Sequence, residues 1–289
     1  MIKTRNRIAI SAFLFSLQTL TTATPTPAPN ALFTSPSDTT TGYISAIGIG
    51  ITSLDATNKF YTSVFGFGKG ARMSFSGWDE DIMTPLPGGG PTLIPMKFKT
   101  GGSSPITEDR PVKNLPVKLT FTVPNAKAVV DKVVKAGGTA VVDTKGRREG
   151  ALYAKDLDGY LLELVPGDTM AFAGAAYGSS DPKKSATFFA KLAGTSPLPV
   201  TKAGAGNVVT VPTKKKFQIS FLDFKDGRPT KKLPLKIVWS VPSIPGFKKT
   251  ITDGGGSLIE KGLGVLGAVV GMGYDGVDQI MIEINFGVV

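Results

Sequence analysis

Apolar and polar positions fall into short runs that recur in a fixed order. Tyr43–Thr52 (YISAIGIGIT) is an isoleucine-rich run that predicts a strand. Ser53 then caps a helix that carries Leu54, Phe60, Tyr61, Val64 and Phe65 on one side and ends at Gly66 and Gly68. Arg72–Ser76 and Leu93–Phe98 predict further strands. The stretch between them, Gly77–Thr92, reads as a long loop whose Trp78, Asp79, Glu80 and Asp81 are placed to line a site. From Lys118 a strand alternates Lys118, Thr120 and Thr122 against Leu119, Phe121 and Val123. Ala126–Ala136 is an amphipathic helix with Val129, Val130, Val133 and Val134 inward, closed by Gly137 and Gly138. Thr139–Asp143, Ala151–Lys155 and Leu161–Val165 predict strands, with an Asp158-Gly159 turn before the last.

Counting the strand from Lys118 as the third, strand, helix, three strands is followed by a helix and three more strands before Pro166, and the second half repeats the pattern. Phe172–Gly178 predicts a strand, Asp181 a cap, and Lys183–Leu192 a helix ending at Gly194. Strands follow at Val208–Val211, Phe217–Asp223 and from Lys236. A short helix, Phe247–Thr252, ends at Gly254–Gly256, and Ile280–Ile284 is the final strand. The glycine-rich run Gly262–Gly273 has no lysine followed by Ser or Thr, so it reads as a closely packed buried strand and not as a phosphate loop.

One stretch occurs twice. Arg110–Asn125 (RPVKNLPVKLTFTVPN) and Arg228–Ser243 (RPTKKLPLKIVWSVPS) align without gaps and agree at eight of sixteen positions, which marks an internal duplication with a period near 118 residues. A period of that length means tandem domains. In each copy a lysine, Lys118 or Lys236, starts the strand, and a proline closes it.

Composition narrows the chemistry. The 289 residues are 41% hydrophobic, enough for two cores. The chain has no cysteine and no histidine. That excludes disulfides, thiolate metal sites, cysteine nucleophiles, Ser-His-Asp hydrolysis and histidine-based zinc or iron sites. Residues 1–23 have the order of a secretory signal: Lys3, Arg5 and Arg7, an apolar core Ile8–Leu20, then small residues for cleavage. That core is too short to span a bilayer, so no stable membrane span is expected after processing. Residues 24–42 form a Thr/Pro-rich tether. The formal charge of +11 falls to about +8 without the signal. An exported basic chain can adhere to acidic extracellular surfaces. The basic runs at Arg147-Arg148, Lys214–Lys216, Lys231-Lys232 and Lys248-Lys249 lack interleaved aromatics, which argues against nucleic acid.

Three segments carry a family resemblance: Ile44–Tyr61 followed by FGF, VKLTFTVPNAKAVVDKVVKAGG, and DLDGYLLEL. Together they resemble the vicinal oxygen chelate superfamily of glyoxalases, bleomycin-resistance proteins and extradiol dioxygenases. The resemblance covers roughly residues 43–289 and is most specific at the Asp-Gly turn leading to Glu163; YDGVDQIMIEI stands in for it near the end. It implies an α+β chain of four βαβββ modules, paired into two glyoxalase-like domains with cupped mixed sheets at residues 43–167 and 168–289. Metal-binding members place one ligand on the first strand, a His at a later strand start and a Glu on a domain's last strand. Those positions fall here near Ala46 and Gly174, on Lys118 and Lys236, and on Glu163 and Glu283. A protonated lysine at a ligand position repels a cation, so no metal and no other cofactor is expected.

Lys118 and Glu163 are therefore expected to meet inside one cup, and Lys236 and Glu283 inside the other, an ammonium standing where the family holds a metal. The expected function is that of a secreted, metal-free protein that binds a small molecule in one or both cups through these four residues, as the bleomycin-resistance branch does. The alternatives are a glyoxalase-like lyase or dioxygenase-like enzyme with a non-standard site, and a structural extracellular module in which Glu163 and Glu283 are remnants.

Overall fold

In the computed structural model of the chain, the described residues are 41–75, 77–99, 117–142, 148–203, 206–223, 230–231, 233–259 and 270–286. The signal-like segment, nearly all of the tether and Gly262–Val269 lie outside them. Among the described residues no helix is long and apolar enough to cross a membrane.

Four modules follow one another. The first comprises β1 (Tyr43–Gly50), α1 (Leu54–Phe65), β2 (Gly68–Ser74), β3 (Trp78–Thr84) and β4 (Thr92–Phe98). The second comprises β5 (Val117–Val123), α2 (Ala126–Lys135), β6 (Thr139–Val141), β7 (Leu152–Lys155) and β8 (Leu161–Pro166). The third comprises β9 (Ala171–Gly178), α3 (Pro182–Ala193), β10 (Thr201–Ala203), β11 (Gly206–Pro212) and β12 (Gln218–Leu222). The fourth comprises β13 (Leu235–Val241), α4 (Ile244–Asp253), β14 (Ser257–Leu258), β15 (Val270–Tyr274) and β16 (Met281–Phe286). Ser53 and Asp181 cap their helices as expected, Asn125 and Ser243 cap the other two, and all four accept from a backbone N–H three residues on; α4 starts at Ile244, three residues before the expected Phe247.

The modules form two eight-stranded mixed sheets, but not in sequential pairs. The first sheet runs β14-β15-β16-β13-β1-β4-β3-β2 and joins the first and fourth modules. The second runs β10-β11-β12-β9-β5-β8-β7-β6 and joins the second and third. The division expected at residues 167/168 therefore cuts through the second sheet, and each half of the chain contributes one module to each sheet. Chain reach accounts for this. Only Gly167–Met170 connect β8 to β9, so β9 must lie in the sheet that β8 left, and it pairs antiparallel with β5. The longer connections after β4 and β12 make the crossings between sheets.

A second departure lies in Gly77–Thr92. Seven of its sixteen residues form β3, which pairs antiparallel with both β2 and β4. Its run of acidic residues imitates a solvated loop, yet each acid has a basic partner: Asp79 meets Lys99 at 2.7 Å, Glu80 meets Lys236 at 2.7 Å and Asp81 meets Arg72 at 2.8 Å. Val270–Tyr274, the described end of the glycine-rich run, is a strand as expected.

The odd positions of the duplicated strand face the helices. Phe121 stacks on Phe65 at 4.1 Å between ring centroids and on Phe172 at 4.9 Å. Trp239, at the matching place, packs on Phe247 at 5.4 Å. Both rings are fully buried in one apolar core to which both sheets contribute.

Two aspartate turns lock one module to the next. In the Asp156–Tyr160 turn, Asp156 Oδ1 accepts from the Asp158 and Tyr160 amides at 3.0 and 2.8 Å. Gly159, at φ 90°, supplies the left-handed residue the turn requires. Asp158 then accepts from the Thr52 amide at 3.0 Å and hydroxyl at 2.7 Å, pinning the β1–α1 corner, while Tyr61 donates to Asp156 at 2.7 Å. The Asp275–Ile280 turn repeats the device, with Gln279 in the left-handed position at φ 58°. There Asp278 accepts from the Ser179 hydroxyl at 2.6 Å and the Ser180 amide at 3.1 Å, pinning the β9–α3 corner.

Burial holds the Asp156 carboxyl up at about 7 and that of Asp275 at about 6. Unfolded, both titrate near 4, so the stability they contribute is complete below about pH 4 and is lost as pH rises through about 7. The melting-temperature advantage of the wild type over Asp156→Asn should therefore shrink between pH 5 and pH 8. Melting curves of both proteins across that range test it, and a pH-independent difference would refute it.

Candidate functional site

Each sheet turns one face to the shared core and the other to a cup. In the first sheet the inward-facing positions are Lys236 and Val238 on β13, Met281 and Glu283 on β16, Ala46 and Gly48 on β1, Ile94 and Met96 on β4, and Trp78 and Glu80 on β3. Lys236 Nζ lies 2.7 Å from Glu80 Oε2 and 2.7 Å from Glu283 Oε2. The Trp78 indole donates to the same Glu80 oxygen at 2.8 Å. Lys236 is 1% exposed, and Ala46, Ile94, Met96, Val238, Met272 and Met281 pack around the triad. Burial alone would lower the Lys236 pKa, but the adjoining Glu283 and Glu80 outweigh it and hold the ammonium above the ordinary lysine value.

The second cup is more polar, and its lysine is partly exposed. Lys118 Nζ lies 2.8 Å from Glu163 Oε2, with the lysine side chain 25% exposed and the glutamate 5%. The Thr120 hydroxyl donates to the same oxygen at 2.7 Å, and the Tyr153 hydroxyl donates to Oε1 at 2.7 Å. The Arg148 amide donates to Tyr153 in turn, at 2.9 Å. Burial would raise the Glu163 pKa, but Lys118 and the two hydroxyls outweigh it and hold it below the ordinary value. Strand register sets Lys155, Lys118, Ala176, Ser220 and Thr210 in one transverse row beside this pair.

The two lysines differ because their neighbours do. Lys236 pairs across β1 with Gly48, whereas Lys118 pairs across β9 with Ala176. A Cβ on Gly48 would collide with Cγ of Lys236, so glycine opens the channel through which the lysine reaches the floor. The place of Glu80, opposite Met96, is taken in the second cup by Val208, opposite Leu222. Val238, beside Glu283, is replaced by Thr120, beside Glu163.

The four residues singled out from sequence thus come together as two pairs. Ala46 lines the first cup, and Gly174 sits in the floor of the second. Glu80, Trp78, Gly48, Thr120 and Tyr153 were not singled out as contacts, although Trp78 and Glu80 lay in the stretch expected to line a site. The signal for them is the two-residue alternation Trp78, Glu80, Ile82. The donor set does not fit the metal of the resemblance. In the first cup an ammonium already bridges the carboxylates, and among the described residues no three Asp, Glu, His or Cys converge on one point.

Comparison with known proteins agrees with this architecture. No family model matches the sequence, and no curated protein matches it. A variant of glyoxalase I from Zea mays superposes with a TM-score of 0.65 at 12% identity, over 85% of this chain and 94% of that one. A putative dioxygenase from Bacillus subtilis superposes with a TM-score of 0.58 at 16% identity, over 85% of each chain. The chain has the vicinal oxygen chelate fold. Within that fold, the two lysine–glutamate pairs lie at the cup positions to which the resemblance assigns metal ligands.

Gly48→Ala should destabilise the protein by about 1–3 kcal/mol by displacing Lys236. Ala176→Gly, which adds no atom, should cost less than Gly48→Ala. Denaturant titration of the two variants compares them, and an equal effect would remove the steric account of the channel.

Proposed function

We propose that the chain is an exported protein that binds a small oxygen-rich anion in the cup of its second sheet, without a metal. The observation that carries this is the partial exposure of Lys118 above a glutamate that is already satisfied. Glu163 accepts from Lys118, Thr120 and Tyr153, so its acceptor capacity is turned inward. Lys118 spends one of its three N–H groups there and keeps two for a ligand. Thr210 and Ser220, hydrogen-bonded at 2.8 Å and half-buried, offer hydroxyls in the same row, and Lys155 adds a cation at the exposed end. A carboxylate of a small hydroxy or keto acid suits this lining. The first cup lacks those features: Lys236 commits two N–H groups to glutamates and is buried.

Titration calorimetry with glycolate, pyruvate and oxalate tests the reading. At least one of the three should bind the wild type, and Lys118→Gln should weaken it about tenfold or more, the loss of a charge-assisted hydrogen bond. Retained affinity in Lys118→Gln would overturn the site assignment.

Export rests on the basic-then-apolar order of residues 1–23 and the tether behind it. The extracellular protein should begin near Thr24, as read by N-terminal sequencing. A soluble intracellular protein that retains Met1 would end this part of the proposal.

A further inference from the structure

Burying an ammonium beside two carboxylates is costly unless the geometry compensates, and the first cup is shaped around that compensation. Gly48 clears the path of the Lys236 stem. Glu80 and Glu283 arrive from opposite ends of the chain, in the first and fourth modules, and present one oxygen each at 2.7 Å from Nζ. Trp78 fixes Glu80 at 2.8 Å, and the Asn285 amide donates to the free oxygen of Glu283 at 3.3 Å. The lining beyond them is aliphatic, thioether and aromatic. No part of this arrangement except the lysine–glutamate pair recurs in the second cup, where Ala176 and Val208 stand at the places of Gly48 and Glu80.

We propose that the first cup is a built cation site whose resident cation is the Lys236 ammonium, and that Glu80 and Glu283 will accept an external primary ammonium once the lysine side chain is removed. The two carboxylates then define the site, and the lysine is its tethered ligand. The cup works as a permanently loaded clamp between the first and fourth modules, distinct from the ligand site proposed for the second cup.

Chemical rescue tests this. Lys236→Ala removes Cγ to Nζ, which n-propylammonium replaces atom for atom. Lys236→Ala should melt roughly 5–15 °C below the wild type, because it leaves the buried Glu80 and the partly buried Glu283 carboxylates without their cation. Millimolar n-propylammonium chloride should restore several degrees of that loss saturably, with no effect on the wild type or on Glu80→Gln/Lys236→Ala/Glu283→Gln. Neutral n-propanol controls for simple filling of the cavity. Equal rescue by propanol, or none by the ammonium, would overturn the proposal. If Lys236→Ala does not fold, Lys236→Met is compared with Glu80→Gln/Lys236→Met/Glu283→Gln. The triple variant should then melt higher than the single, and the reverse order would overturn the proposal. None of these readouts involves Lys118, so failure of the anion site leaves them interpretable.

Discussion

The constraint on which the first sheet depends is a single buried positive charge. Lys236 sits at the centre of an apolar cup, where an isolated ammonium would be expelled or deprotonated. It stays charged because two carboxylates reach it, one from β3 and one from β16. Those strands belong to modules at opposite ends of the chain, and they meet only because β1 pairs with β13. The electrostatic requirement of one residue and the non-sequential pairing of modules are therefore the same requirement seen at two scales. Any arrangement that closed each half of the chain on itself would part Lys236 from Glu80.

The two sheets are not independent either. Asp158, from the second sheet, fixes the corner between β1 and α1 of the first. Asp278, from the first, fixes the corner between β9 and α3 of the second. Each carboxylate satisfies backbone donors at the entry to a helix, which would otherwise lack partners in a buried corner. The core that unites Phe65, Phe121 and Phe172 lies over the same junctions. Cross-sheet locks and a shared core explain why the described residues behave as one compact body, not as two beads on a string.

Much of this was legible in the sequence, for identifiable reasons. The caps at Ser53 and Asp181 were visible because they use local chemistry. The duplicated strand showed its two faces because alternation reports burial directly, and Lys118, Glu163, Lys236 and Glu283 followed from the family resemblance. Non-local facts were not legible. Asp79, Glu80 and Asp81 read as a solvated loop because their partners, Lys99, Lys236 and Arg72, are distant in sequence or on another strand. The pairing of modules was hidden because every module has the same internal pattern, and only the reach of the connecting segments distinguishes one pairing from another.

The duplication began with matched strands, and a few positions separate their outcomes. Gly48 against Ala176 decides how deep a lysine can go. Glu80 against Val208 decides whether it finds a second carboxylate there. Val238 against Thr120 decides whether the facing glutamate is left to the ammonium or also takes a hydroxyl. In the first cup these choices draw the lysine down and close the floor with methionines. In the second they leave the lysine half-raised, with donors to spare and hydroxyls beside it. One duplicated pair thus becomes a buried, doubly paired ammonium in one sheet and a partly exposed, singly paired one in the other. Two copies of one lysine meet opposite demands: one must be fully paired because it is buried, and the other can remain singly paired because water still reaches it.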